Sequence, residues 1–246
     1  MILELDLGNT RGKWRIVAGA QVLDRGIGEV AAWSAGSFPA AWCDVSRVRV
    51  GSVLGDAAEQ SLLQALAALK VPVAFARSTA ECAGVRNVYA ESQQLGVDRW
   101  LAMLAAHQEF RRATLVVDAG SALTLDLVGA TGQHRGGYII PGARLMADTL
   151  LRSTDRVRFA GNDAPSSTAP GLNTGECVFN GITLALSGAV RLGFEQARAS
   201  LGDVVLVLAG GDAEAIAAVL SASFIEGENL YCRPDLVLEG LRWALP

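Results

Sequence analysis

Two stretches of this chain have the same shape. "LELDLGNTRGKWRIV" (3–17) and "LVVDAGSALTLDLV" (115–128) each run from apolar residues to an aspartate, one further residue, a glycine, a hydroxyl or amide residue, and a second apolar run. Each reads as two strands joined by a tight turn, a hairpin. Asp6 and Asp118 hold the same place in the two copies. A second pair of stretches follows in the same order. "VRVGSVLGDAAEQSLLQAL" (48–66) and "VVLVLAGGDAEAIAAVL" (204–220) each read as a strand, a glycine-containing turn and an amphipathic helix. Two matched features in one order point to an internal duplication, with two α/β halves. The expected division is 1–113 and 114–246. Further elements are a strand over 71–76, a helix over 98–112 opened by an acidic residue, and a closing helix over 236–245. The stretch 159–175, rich in Gly, Pro, Ser and Asn, reads as a loop.

With 246 residues, half of them hydrophobic, the chain can bury a core in each half. The net charge of −4 lacks the basic excess of a general nucleic-acid binder. No apolar run approaches the ~18–20 uncharged residues of a membrane span, and no charged apolar leader opens the sequence, so a cytoplasmic address is expected. Cys43, Cys82, Cys177 and Cys232 are scattered, without the close pairs a zinc site needs. The two histidines and the missing G-x-S-x-G elbow give little support to a Ser-His-Asp machine. Carboxylates and backbone amides remain the better candidates for chemistry. Trp14, Trp33, Trp42, Trp100 and Trp243 have no cage-like spacing and read as packing residues.

The first turn suits a polyphosphate. Gly8 lacks a Cβ, so backbone N–H groups there can approach an anion closely. Asn9 and Thr10 add side-chain donors, and Lys13 adds a positive charge. Asp6 would repel phosphate directly but can hold a hydrated Mg²⁺ that neutralises it. Ordinary hairpin chemistry would explain a lone D-x-G-N turn equally well. The second Asp-Gly turn favours the phosphate reading, since two such turns can hold a polyphosphate between them. The glycine pair of "AGGDA" at a helix start suits the nucleoside end.

"DLGNTRGKW" (6–14), "GVDRW" (96–100), "DAGSALTLD" (118–126), "GGYIIPG" (136–142) and "AGGDA" (209–213) together resemble the type III pantothenate kinases, of the acetate kinase/sugar kinase/Hsp70/actin superfamily. The motifs stand in order over nearly the whole chain. The resemblance implies two ribonuclease-H-like (actin-like ATPase) domains, a homodimer, and ATP-dependent phosphorylation of pantothenate, the first step of coenzyme A synthesis. It also implies Mg²⁺ and a monovalent cation, K⁺ or NH₄⁺, and no nucleic-acid or membrane partner.

Residue by residue, the resemblance makes Asp98 the catalytic aspartate, the general base that orients the acceptor hydroxyl and takes its proton. The pattern alone would also allow a helix N-cap. Arg99 suits the pantothenate carboxylate or the transferring phosphoryl group. Tyr89, Gly96, Val97 and Thr174 complete the expected substrate set, with a plain helix cap as the competing reading of Thr174. Asp6, Leu7, Gly8, Asn9, Thr10, Arg11, Gly12 and Lys13 form the expected ATP stretch. Ser121 joins it, standing where the family has threonine. Asp118 resembles the monovalent-cation ligand, against a turn-stabilising alternative. Two rivals stay open: a kinase for another small acceptor, and a non-catalytic accessory protein of the same fold.

Overall fold

The computed structural model describes residues 1–153, 167–223 and 229–246. Of the loop read over 159–175, residues 159–166 lie outside that set. The chain divides into two units, Met1–Gln108 with Asp235–Pro246, and Glu109–Pro234.

The first unit is built on strands β1 (Ile2–Leu7), β2 (Arg11–Ala18), β3 (Gln21–Glu29), β4 (Arg47–Ser52) and β5 (Val73–Phe75), in the order β3-β2-β1-β4-β5. Its helices are α1 (Val30–Ser34), α2 (Asp56–Leu66) and α3 (Val97–Phe110), and β6 (Glu81–Cys82) with β7 (Val85–Arg86) forms a small separate ribbon. β1 runs antiparallel to β2 and parallel to β4. Its strict alternation sends Leu3, Leu5 and Leu7 into a core with Trp14, Ile16, Val48 and Val50, and leaves Glu4 and Asp6 on the opposite face. That face is covered as well, and Glu4 is 1% exposed. A lone buried carboxylate would be costly, and the register supplies its partners. Arg15 on β2 and Arg49 on β4 stand opposite Glu4, with Arg15 Nε at 2.7 Å and Arg49 Nη1 at 3.1 Å from its oxygens. A one-residue slip would carry Glu4 and Asp6 into the leucine core, so the triad and the alternation fix one register.

The second unit repeats the plan with β8 (Ala113–Ala119), β9 (Ala122–Val128), β10 (His134–Pro141), β11 (Val204–Ala209) and β12 (Leu230–Cys232), ordered β10-β9-β8-β11-β12. β11 is buried along its whole length, as its unbroken apolar sequence requires of a strand covered on both faces. Helices α4 (Ala143–Ser153), α5 (Thr174–Leu201) and α6 (Ala213–Ser223) belong to this unit. Among the described residues, α5 is the one helix long and apolar enough to cross a membrane by length and composition. It instead lays Ile182, Leu186, Val190 and Phe194 into the core of its own sheet. The two identical strand orders are those expected of a duplication.

One expectation needs correction. The closing helix, α7 (Leu236–Ala244), was assigned to the second half, but it belongs to the first unit and packs on β1 and β4. Gly240 makes this possible. A Cβ there would collide with the Leu101 carbonyl oxygen and lie 2.6 Å from its carbon, so only glycine lets the α7 and α3 backbones meet. The change of unit also falls between Gln108 and Glu109 rather than between 113 and 114.

Candidate active site

The two hairpin turns are held by matching hydrogen bonds. In the first, the Gly8 amide donates to the Arg11 carbonyl, Val53 donates to the Leu7 carbonyl, and Val30 donates to the Thr10 carbonyl, each at 3.1 Å. In the second, Gly120 donates to Ala122, Asp212 to Ala119, and Gly142 to Ser121, each at 3.0 Å. Each turn is thus clamped from the strand–helix junction that follows the next parallel strand and from the start of the helix after the third strand. The first turn carries one residue more, closing from Gly8 to Arg11 instead of from Gly120 to Ala122. That extra length leaves Asn9, Thr10 and Arg11 exposed at its tip, where their donors can reach an anion.

Within the expected ATP stretch the residues divide. Asp6 and Lys13 stand opposite each other across β1 and β2. The Leu7 side chain is buried in the core, and the Leu7 carbonyl accepts the Val53 amide. Gly12 stands under the Trp33 ring, which a Cβ at Gly12 would strike.

The expected substrate residues of the first unit gather at the start of α3. Asp98 lies in the first turn and is half-buried, and its Oδ1 accepts the Arg99 amide at 2.8 Å. The same oxygen would lie 2.6 Å from a Cβ at position 96, so Gly96 is the residue that lets this carboxylate fold back over its own loop. Arg99 is buried at 6% exposure, and its Nη1 donates to the Tyr89 hydroxyl at 3.2 Å. Tyr89 is anchored in turn, its amide donating to Asn87 Oδ1 at 3.0 Å. Tyr89 and Arg99, ten residues apart, therefore act as one paired group. The Val97 side chain is buried and serves packing. Beside Gly96 and Val97 opens a polar cavity of about 550 Å³, lined also by Ser52, Arg77, Ser78 and Gln94. It lies at the carboxyl ends of β4 and β5, where open α/β sheets bind ligands. These lining residues come from separate segments of the chain and share no local pattern.

In the second unit, Asp118 is the penultimate residue of β8 and lies next to two glycines. Gly210 has φ +90° and would place a Cβ 2.5 Å from Asp118 Oδ1, while Gly120 would place one at 3.5 Å. The "AGGDA" segment therefore wraps the Asp118 turn, and burial pushes the Asp212 carboxyl above the ordinary carboxylate range. Ser121 is exposed at this turn. Among the described residues no group of three or more His, Cys, Asp and Glu forms a metal cage. A single carboxylate with turn carbonyls suits a weakly held hard cation rather than zinc. Thr174 is the first residue of α5, but it is not the cap: Asn173 accepts the Glu176 amide at 2.9 Å. Thr174 is left free of that duty on the rim of an apolar pocket of about 700 Å³, with Met146, Leu150, Val178 and Ile182.

The family model for type III pantothenate kinase matches residues 2–195. A type III pantothenate kinase of Ectopseudomonas mendocina is 40% identical, over 100% of this chain and 99% of that protein. Among solved structures, a Campylobacter jejuni protein provisionally assigned to the Baf family of transcriptional activators superposes with a TM-score of 0.61 at 18% identity, covering 98% of this chain and 95% of that one. A Listeria monocytogenes protein provisionally assigned as an N-acetylmannosamine kinase gives 0.52 at 11% identity, covering 98% and 96%. At these identities the two structures show the fold alone, that of the actin-like ATPases and sugar kinases.

Proposed function

Because the chain belongs to the type III pantothenate kinase family, it phosphorylates pantothenate with ATP in coenzyme A synthesis, and we propose that Asp98 is its general base. The observation that carries this assignment is the backward fold of the Asp98 carboxylate over Gly96, beside the Arg99–Tyr89 pair. The carboxylate orients the primary hydroxyl of pantothenate and accepts its proton late in transfer. Arg99 receives the pantothenate carboxylate. The Tyr89 hydroxyl accepts from Arg99 Nη1 and helps to fix the plane of the guanidinium. Arg99→Lys keeps the charge but loses that planar fork. It is expected to raise KM for pantothenate about tenfold, a loss of about 1.4 kcal/mol, with KM for ATP unchanged. Steady-state kinetics with each substrate varied in turn checks this, and an unchanged pantothenate KM would remove Arg99 from the acceptor site.

The turn from Asp6 to Lys13 binds the phosphates of ATP. Asn9, Thr10 and Lys13 supply donors and charge, and Asp6 fits a hydrated Mg²⁺, a hard ion that takes few protein oxygens. Asp118, next to the carbonyls of its turn, fits a monovalent cation. Activity is then expected to require K⁺ or NH₄⁺, with Asp118→Asn losing the stimulation. Full activity in Na⁺-only buffer would contradict this assignment. Thr174, the first residue of α5 and not its cap, is kept as a proposed substrate residue. A homodimer is supported by exposed apolar side chains within the second unit, Leu184 and Leu192 on α5 with Tyr138 and Ile139 on β10. All four cysteines are free thiols, which fits a reducing cytoplasm.

A further inference from the structure

We propose that Trp33 is a positioning residue for the nucleotide turn, setting the shape of its base from behind. This assignment rests on the β1–β2 turn being the phosphate site. Gly12 on β2 and Gly28 on β3 are directly opposite each other. A Cβ at Gly12 would strike the Trp33 ring, lying 3.0 Å from Cη2, and would also lie 2.9 Å from Leu7 Cδ2. A Cβ at Gly28 would lie 2.7 Å from Trp33 Cζ2. One indole therefore covers a cross-strand glycine pair, with Leu7 closing the other side. Aromatic cover of this kind stabilises strand glycines that would otherwise weaken the sheet.

The contact bears on both ends of the turn. Leu7 is the last residue of β1, and Gly12 follows the residue that closes the turn by accepting the Gly8 amide. Helix α1, which carries Trp33, is also tied to the tip, because its first amide, Val30, donates to the Thr10 carbonyl. Behind the indole stands Trp42, with ring centroids 5.1 Å apart, and Phe38 stacks on Trp42 at 5.3 Å. Trp33 is 3% exposed, so the stack has no slack toward water.

The duplicated unit shows that the fold does not demand this arrangement. At the corresponding pair, Leu123 on β9 stands opposite Ile140 on β10, and the space is filled from the strands themselves. The glycine pair under a tryptophan goes with the longer turn, whose exposed donors must be preorganised. A turn that sags by even a fraction of an ångström loses part of its convergence on the phosphates.

Calorimetric binding of MgATP to the intact protein tests this, with kinetics alongside. Trp33→Leu is expected to weaken ATP binding by about tenfold to a hundredfold, with KM for pantothenate unchanged, and Trp33→Phe is expected to restore most of the affinity. Gly12→Ala is expected to weaken binding in the parent and to have little further effect in the Trp33→Leu background, where the room exists. Should Trp33→Leu fail to fold, Gly12→Ala alone carries the measurement. Leu66→Ala, in the same core, is expected to lower thermal stability and leave ATP affinity unchanged. Parental ATP affinity in Trp33→Leu and Gly12→Ala, or an equal loss in Leu66→Ala, would overturn the assignment. Lys13→Ala separates the two levels: if it too binds ATP normally, the turn is not the phosphate site and the role of Trp33 falls with it.

Discussion

Asp98→Asn is expected to lower kcat by about 10²- to 10⁴-fold in a protein that folds normally. The geometry separates these two effects. Asp98 Oδ1 accepts the Arg99 amide, and an asparagine carbonyl oxygen can accept the same bond. The close passage over Gly96 is kept too, because the side chains have the same shape. The capacity to take a proton and the negative charge disappear. KM for ATP should hold and circular dichroism should be unchanged. Near-parental kcat in this variant would remove Asp98 from the chemistry and leave it as a helix-start residue.

A large effect on stability is expected at Gly240→Ala. Some glycines, Gly55 and Gly181 among them, would gain a methyl group in open space. At Gly240 the new carbon meets the backbone of Leu101, 2.6 Å from its carbonyl carbon and 2.7 Å from its Cα. Backbone cannot rotate away, so α7 must lift from α3. That lift loosens Leu241 and Leu238, both essentially without solvent contact. Overpacking of this kind costs about 3 kcal/mol, equivalent to a fall in melting temperature of about 6–12 °C at this chain length. Gly55→Ala is the natural contrast. It adds a carbon in open space at the start of α2 and should cost well under about 1 kcal/mol. A melting temperature for Gly240→Ala within a degree of the parent would mean that the two helices are not in backbone contact.

What the sequence showed and hid follows from range. The duplication was legible because its signals are local: an aspartate and a glycine at a strand end, repeated, and a strand–glycine–helix repeated after it. The matched hydrogen bonds of the two turns give that pattern its structural meaning. Strand β3 was missed because "QVLDRGIGE" is exposed and carries two glycines, which weaken any strand pattern. Its glycines make sense only under Trp14 and Trp33, whose rings come from β2 and α1. The packing role of Gly12 was hidden for the same reason: nothing next to it in sequence announces a tryptophan twenty-one residues on. Helix α7 was read correctly as a helix and assigned to the wrong half, since its partner residues on α3, β1 and β4 lie far away in the chain. Of the site, Asp98, Arg99 and Tyr89 were named by resemblance. The Arg99–Tyr89 hydrogen bond and the cavity beside Gly96 arise from loop packing that no local pattern encodes.

The most direct test is an assay of ATP consumption by the purified protein with Mg²⁺ and K⁺, with and without pantothenate. The account predicts turnover that depends on pantothenate, one ADP formed per phosphorylated pantothenate, and loss of both in Asp98→Asn. ATP turnover indifferent to pantothenate, or none with it present, would contradict it.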